Sequence, residues 1–163
     1  MKIFNSKYSL LTGVAGLIVI ADQITKALIL KSMPLYQSVQ VIPGLFNITH
    51  IQNPGGAFGF LANQSSNVRT VVFLLISSLA VGLIFWFYKN TPKTHPWLAT
   101  AFAMIFGGAI GNLIDRIRFG KVVDFLDFYI GDLHWPAFNV ADSAISVGIA
   151  VFIIHLLFKK LPE

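Results

Sequence analysis

The sequence predicts an all-α integral membrane protein: a bundle of four transmembrane helices with a small extracytoplasmic β-rich appendage and an interfacial loop or helix. Three observations carry that reading. Of 163 residues, 55% are hydrophobic and only 12% charged, and the mean hydropathy is +0.72, too apolar for a soluble domain of this length. Four stretches, about 10–30, 71–88, 97–114 and 137–158, approach or exceed the roughly 20 apolar residues that a helix needs to cross a hydrocarbon layer of about 30 Å. The middle two contain no charged side chain at all.

The first span follows Lys2 and Lys7, as a signal peptide would, but no A-x-A-like cleavage site closes it and three more spans follow. It is therefore read as a retained anchor. Between the first two spans, Pro34, Pro43-Gly44 and Asn53-Pro54-Gly55-Gly56 punctuate the β-prone runs Val39 to Ile42 and Phe46 to Ile51, which predicts a small sheet within 31–69. The second connecting segment, 115–136, contains an aromatic-rich stretch from Lys121 to Tyr129 suited to the interfacial belt. No internal repeat or low-complexity segment interrupts the chain, so 1–163 is expected to be a single membrane domain.

Four spans put both termini on one side. With the termini inside, Lys2, Lys7, Lys89, Lys93, Lys159 and Lys160 lie on short cytoplasmic tails and one short loop, whereas Lys31, Arg69, Arg116, Arg118 and Lys121 are spread over longer outer segments. This density favours cytoplasmic termini. The net charge of +5 forms no basic run or stripe, which argues against a nucleic-acid partner. The chain has no cysteine, which excludes a disulfide framework, a thiolate metal site and a thiol nucleophile.

The polar residues within or beside the spans carry the functional reading. A carboxylate at bilayer depth is costly unless paired, wetted or protonated, so Asp142, at the start of the last span, marks a functional site by default. Asp124 lies one loop upstream, between β-branched residues and Phe125, and is expected to be partly desolvated; Asp127 and Asp132 read as solvated loop acids. Asp22 and Lys26 are four apart on one helix face with the acid N-terminal, the better orientation. Lys26 can also snorkel to the headgroups. Their pairing reads as structural support at least as well as catalysis. Gly107 and Gly111 form a small-xxx-small pattern for close helix packing. Asn112 and Arg116 share a face at the membrane surface, where Arg116 reads either as an interfacial anchor or as a cation for a carboxylate or peptide carbonyl. Asn139 and Asp142, three apart, share a face, and Asn139 reads also as a helix-start residue.

Five strings together resemble the ordered motifs of the bacterial lipoprotein signal peptidase (signal peptidase II) family. They are Asp22-Gln23-Ile24-Thr25-Lys26, Asn53-Pro54-Gly55-Gly56-Ala57-Phe58-Gly59, Gly108-Ala109-Ile110-Gly111-Asn112-Leu113-Ile114-Asp115-Arg116, Val122-Val123-Asp124-Phe125 and Phe138-Asn139-Val140-Ala141-Asp142-Ser143. They follow family order and family-like spacing over nearly the whole chain. Gly56, where the family more often has alanine, is a departure that bears on the flexibility of its loop. The resemblance implies a four-helix aspartic endopeptidase of the bacterial cytoplasmic (inner) membrane, with its active site near the outer leaflet. Its substrates would be prolipoproteins, cut just before a cysteine carrying a diacylglyceryl group. It also implies Asp124 and Asp142 as the catalytic dyad, with Asn53, Gly55, Asn112, Arg116 and Asn139 lining the site and Asp22 and Lys26 supporting it. No metal or organic cofactor is implied; globomycin-type peptides are the implied inhibitors, membrane lipid a partner, and a monomer suffices.

The chemistry of paired acids fits that expectation. Two carboxyls within about 3 Å cannot both ionise, so one serves as base while the other serves as acid at the same pH. The ionised member would take a proton from water attacking the scissile carbonyl, and nearby Asn and Arg groups would stabilise the developing charge. The stretch Phe119 to Tyr129 and the loop Asn53 to Phe58 are expected to close over substrate. Two rival readings are weighed. A transporter could also keep intramembrane acids, but the polar residues cluster at span ends and leave a poor through-path. A metal hydrolase using His50 or His134 lacks an H-E-x-x-H pattern.

Overall fold

The structure, a computed structural model, describes residues 7–55 and 65–158. The terminal lysines Lys2, Lys159 and Lys160 and the loop positions Gly56 to Gly59 invoked above lie outside the described residues. Among those described, four helices are long and apolar enough to cross a bilayer. In chain order the elements are α1 (Lys7–Ser32), β1 (Ser38–Ile42), β2 (Phe46–Asn53), α2 (Ser66–Asn90), α3 (Pro96–Phe119), β3 (Val122–Ile130), β4 (Leu133–His134) and α4 (Val140–Phe158).

Local chemistry sets the helix ends. Ser65 caps α2, its hydroxyl accepting the Val68 N–H at 3.4 Å. Pro96 occupies the first turn of α3, where its missing N–H costs nothing. Gly120, at φ 68°, ends that helix in the left-handed conformation and donates its N–H to the Arg116 carbonyl. α3 therefore runs past Ile114, the expected end of its span, to Phe119. At the end of the bundle far from the sheet, the buried Tyr88 hydroxyl donates to the Lys7 carbonyl, and Lys7 Nζ donates to the carbonyls of Lys89 and Thr91. These bonds clasp the start of α1 to the end of α2.

α3 is the hub, packing against α1, α2 and α4. Half of its apolar stretch is buried, against none of that of α2. The outward faces of the other helices carry exposed Leu17, Ile20, Ile24 and Leu28 on α1, Leu75, Leu79 and Leu83 on α2, and Ile153, Ile154 and Leu157 on α4. In water such a girdle would aggregate; in hydrocarbon it is the lipid-facing surface. Lipid tails supply little drive for helix association, so close approach has to come from small residues. A Cβ at Gly107 would lie 2.8 Å from the Ala15 Cα of α1, and one at Gly108 would collide with the Ala141 carbonyl of α4 and lie 2.7 Å from Ile145 Cγ1. The expected small-residue packing face is therefore present, and Gly108 joins it.

The sheet is four-stranded and antiparallel, in the order β1-β2-β3-β4. Asn53 pairs with Val122 and Ile51 with Asp124, which brings the two connecting segments together at the head of α3 and α4. The aromatic stretch expected as an interfacial loop or helix and as part of a closing lid is strand β3, bonded to β2 and β4. Its first four residues are buried. Ile29 of α1 packs with Val123 and Phe125 in a small core beneath the sheet. Asp127 is a correction to the sequence reading: it is buried, accepting from Asn47 Nδ2 at 2.9 Å and sharing a 2.8 Å hydrogen bond with His134 Nδ1. Its side chain is engaged by residues of both neighbouring strands, β2 and β4.

Overpacking a well-filled contact costs about 1–3 kcal/mol. Gly108→Leu should therefore lower the thermal unfolding midpoint in detergent by several degrees, whereas Gly13→Leu, where nothing lies within 4 Å of the new Cβ, should not. Equal melting of the two variants would contradict the close α3–α4 approach.

Candidate functional site

Beneath the sheet, the inner faces of α1 and α3 bring four polar side chains together. Asp22 is 0%, Lys26 2% and Asp115 1% exposed. Lys26 Nζ lies 2.8 Å from Asp22 Oδ2 and 2.9 Å from Asp115 Oδ2, and Gln23 Nε2 donates to both acids at 3.2 and 3.0 Å. The i,i+4 pairing of Asp22 with Lys26 is as the spacing predicts. The snorkelling alternative is not: Lys26 turns inward because two carboxylates await it there. Gly111 has no side chain to fill this space, and a Cβ would lie 2.7 Å from Asp22 Oδ2.

One turn along α3, Asn112 connects this layer to the next. Its Oδ1 accepts from Lys26 Nζ at 3.0 Å, which orients its amide so that Nδ2 donates to Asp142 Oδ1 at 2.7 Å. Asp142 lies in the first turn of α4 and is half-buried. Asn139, fully buried, exchanges bonds with it: Asn139 Oδ1 accepts the Asp142 N–H at 2.9 Å, and Asp142 Oδ2 accepts the Asn139 N–H at 3.3 Å. This is a reciprocal helix cap, in which orphan N–H groups of the first turn are satisfied by side chains. The other end of Asn139, Nδ2, donates to Asp124 Oδ1 at 2.8 Å, to the Val123 carbonyl at 3.2 Å and to Asn112 Oδ1 at 3.2 Å. One amide thus touches both acids.

Asp124 is 2% exposed on β3 and accepts a second bond, from Asn53 Nδ2 on β2, at 3.0 Å. Asn53 is held in turn by the Gly55 N–H, which donates to its Oδ1 at 2.8 Å. Gly55 has φ 89°, and a Cβ there would meet the Phe73 ring at 2.7 Å, so both backbone and space select glycine. The Arg116 guanidinium lies 5.2 Å from that same ring and feels the charges of Asp124, Asp142 and Asp115. Its buried Nη1 has no hydrogen-bond partner among the described residues.

Burial pushes the Asp124 carboxyl up to about 7, reinforced by the neighbouring Asp142 charge and opposed by the Asn53 and Asn139 bonds and by Lys26. A group near neutrality can both hold and release a proton at physiological pH. On the other side of Asp142 lies an open cleft of about 530 Å³, mostly apolar, lined by Trp135, Pro136, Ala137, Phe138, Ser143, Ser146 and Val147. A peptide reaching Asp142 through it would meet hydrocarbon-compatible walls.

Every site residue singled out in the sequence falls in this assembly: Asp124, Asp142, Asn53, Gly55, Asn112, Arg116, Asn139, Asp22 and Lys26. Asn139 starts α4 as weighed, and its amide also bonds to Asp124. Asp115 and Gln23 are the members missed. Asp115 was assigned to the start of a loop, yet the helix continues through it. Its spacing of four from Gly111 and three from Asn112 on α3 was the available signal. His50 Nδ1 shares a 2.8 Å bond with the Met33 carbonyl and His134 pairs with Asp127, so both histidines sit outside this constellation.

Comparison with known proteins gives consistent matches. A family model described as Signal peptidase (SPase) II matches residues 14–158. The lipoprotein signal peptidase of Desulforapulum autotrophicum is 55% identical over 150 residues, covering 92% of this chain and 93% of the relative. That of Geobacter sulfurreducens is 49% identical over 141 residues, 86% of this chain and 87% of the relative. A solved bacterial membrane enzyme, determined by the in meso method at 2.3 Å resolution, superposes with a TM-score of 0.79 at 34% identity, over 94% of this chain and 93% of that one.

The elevated Asp124 value has a consequence for stability. Unfolded, this carboxyl ionises near its ordinary value of 3.8; folded, it holds its proton to about 7. Its contribution to stability is therefore fully present below the unfolded value and is lost as pH rises through the folded one. Thermal melts in detergent should show stability falling between about pH 4 and 7, with that slope shallower in Asp124→Asn. Identical slopes in parent and variant would remove Asp124 as its source.

Proposed function

Because the chain belongs to the signal peptidase II family, we propose that this multi-pass membrane protein, a lipoprotein signal peptidase, is an aspartic endopeptidase with Asp124 and Asp142 as its dyad. The observation that carries the reading is Asn139, whose side-chain amide donates to Asp124 while the same residue exchanges two hydrogen bonds with Asp142. Two carboxyls close enough for the Asp142 charge to act on Asp124 share a proton more readily than they both ionise. The ionised carboxyl of the pair takes a proton from an attacking water, and the protonated one donates to the carbonyl oxygen of the scissile peptide. Collapse of the resulting gem-diol returns a proton to the leaving amine. Asn53 and Asn112 hold the acids, and the spare donor of Arg116 faces charge developing on the substrate.

The bond cut is proposed to be the one before a diacylglyceryl-modified cysteine. Such a lipid keeps its chains in the leaflet, which fixes the neighbouring peptide at the headgroup boundary. The placement of Asp142 in the first turn of α4, and the apolar cleft beside it, support a site at that depth. The protein is proposed to sit in the bacterial inner membrane with both termini cytoplasmic and the sheet on the outer face. Globomycin-type peptides would compete for the same cleft, and one copy of the chain holds the complete constellation.

Substituting asparagine for either dyad acid keeps its shape and removes its titration. Asp124→Asn and Asp142→Asn should each reduce processing of a lipidated precursor in detergent by about 10⁴-fold, the scale seen when one member of a catalytic unit is removed. Near-normal turnover by either folded variant would take that residue out of the mechanism. Turnover should also be unchanged by strong chelators, since no step calls on a metal; inhibition reversed by added zinc would argue for a metallohydrolase instead.

A further inference from the structure

The buried ion cluster has a relation to the two acids that helix packing alone does not require. The peptide N–H of Val123, the residue immediately before Asp124, donates to Asp115 Oδ2 at 3.0 Å. The peptide N–H of Ala141, the residue immediately before Asp142, donates to Asp22 Oδ1 at 3.0 Å. Lys26 Nζ stands between these acceptors, 2.8 Å from Asp22 and 2.9 Å from Asp115. Its remaining donor goes to Asn112 Oδ1, the amide whose Nδ2 holds Asp142. Each acid therefore has its preceding peptide fixed by a carboxylate, and one ammonium ties the two carboxylates together.

We infer that Asp22, Lys26 and Asp115 are positioning residues that act as a calliper, setting the gap between the reacting carboxyls of Asp124 and Asp142 through the peptide N–H ahead of each. The inference rests on the dyad reading above. Neither α4 nor β3 determines that gap by itself: Asp124 rides on a strand and Asp142 on a helix, tied from one side by the Phe138 backbone bonds to Phe125 and Leu126 and by Asn139. The calliper spans them from below, on the rigid pair α1 and α3. Misplacement of reacting groups by about 1 Å can cost about 100-fold in rate, so a loosened calliper acts on the chemical step before it acts on substrate affinity.

The test is steady-state cleavage of a lipidated precursor by the full chain in detergent, with kcat, KM and the pH profile measured for Lys26→Met and Asp115→Asn. Lys26→Met should lower kcat by about 100-fold with KM changed less than about two-fold. The charges facing the dyad are Asp22 and Lys26 from α1 and Asp115 and Arg116 from α3. Removing the lysine leaves the acids harder to ionise and should move the profile to higher pH; Asp115→Asn removes an anion, keeps an oxygen for the Val123 N–H, and should move it lower. Both shifts follow from the removed charge, so the fall in kcat at nearly constant KM is the reading of the calliper. If Lys26→Met does not fold, the triple variant Asp22→Asn, Lys26→Met, Asp115→Asn buries no charge, keeps an acceptor for each N–H and should still lose at least about 10-fold in kcat. A folded Lys26→Met or triple variant with kcat within about two-fold of the parent overturns the calliper. Asp124→Asn in the same assay separates the two ideas. Its retained turnover would defeat the dyad, while its loss beside a fully active Lys26→Met would defeat the calliper alone.

Discussion

An ammonium enclosed by protein and bilayer must find a hydrogen-bond acceptor for each of its three donors, and Lys26 does, in Asp22, Asp115 and Asn112. Taking ions out of water costs several kcal/mol apiece, and mutual attraction offsets this only when the remaining lone pairs are also engaged. Here Asp115 Oδ1 accepts from Gln23, Asp115 Oδ2 takes a second bond from the Val123 N–H, and Asp22 Oδ1 accepts from the Ala141 N–H. Those last two partners are backbone groups of β3 and α4. The demand for complete satisfaction of a buried cation therefore reaches out of α1 and α3 and fixes where the strand and the last helix begin. Small residues on α3 permit it, since bulk at Gly108 or Gly111 would push away the groups that complete the shell.

The two acids sit in different settings although they share Asn139. Asp124 is almost fully enclosed, its two oxygens taken by side-chain amides from β2 and from the start of α4. Asp142 is half-buried at a helix N-terminus, with one oxygen on Asn112, the other on a backbone N–H, and an open cleft alongside. The two carboxyls are thus approached differently, one by side-chain amides alone and the other by an amide, a backbone N–H and an open cleft.

Much of this arrangement was legible in the sequence because the residues obey short-range rules. Hydropathy located the four spans, and the helical periods of three and four placed Asp22 with Lys26, Asn112 with Arg116 and Asn139 with Asp142. The turn residues of 31–69 marked β1 and β2. Legibility failed where long-range pairing overrides local pattern. The aromatic run from Val122 looks interfacial on its own but becomes a strand because β2 supplies an edge for it. Asp127 looks solvated until the sheet brings Asn47 to it. Asp115 reads as the first residue of a loop because the apolar stretch ends there, while the helix continues for another turn to reach Gly120. Lys26 has two plausible destinations, and the choice depends on an acid 89 residues away.

The bond from Asp22 to the Ala141 N–H joins residues 119 positions apart. During synthesis α1 enters the bilayer long before α4 exists, so its acid and lysine have only each other to satisfy at first. Asp115 arrives with the third span and the Ala141 N–H only with the fourth. A nascent chain missing its last helix therefore carries an incompletely solvated ion cluster at membrane depth. Full assembly is needed to quiet it, and the same event delivers Asp142 to its partners Asn112 and Asn139.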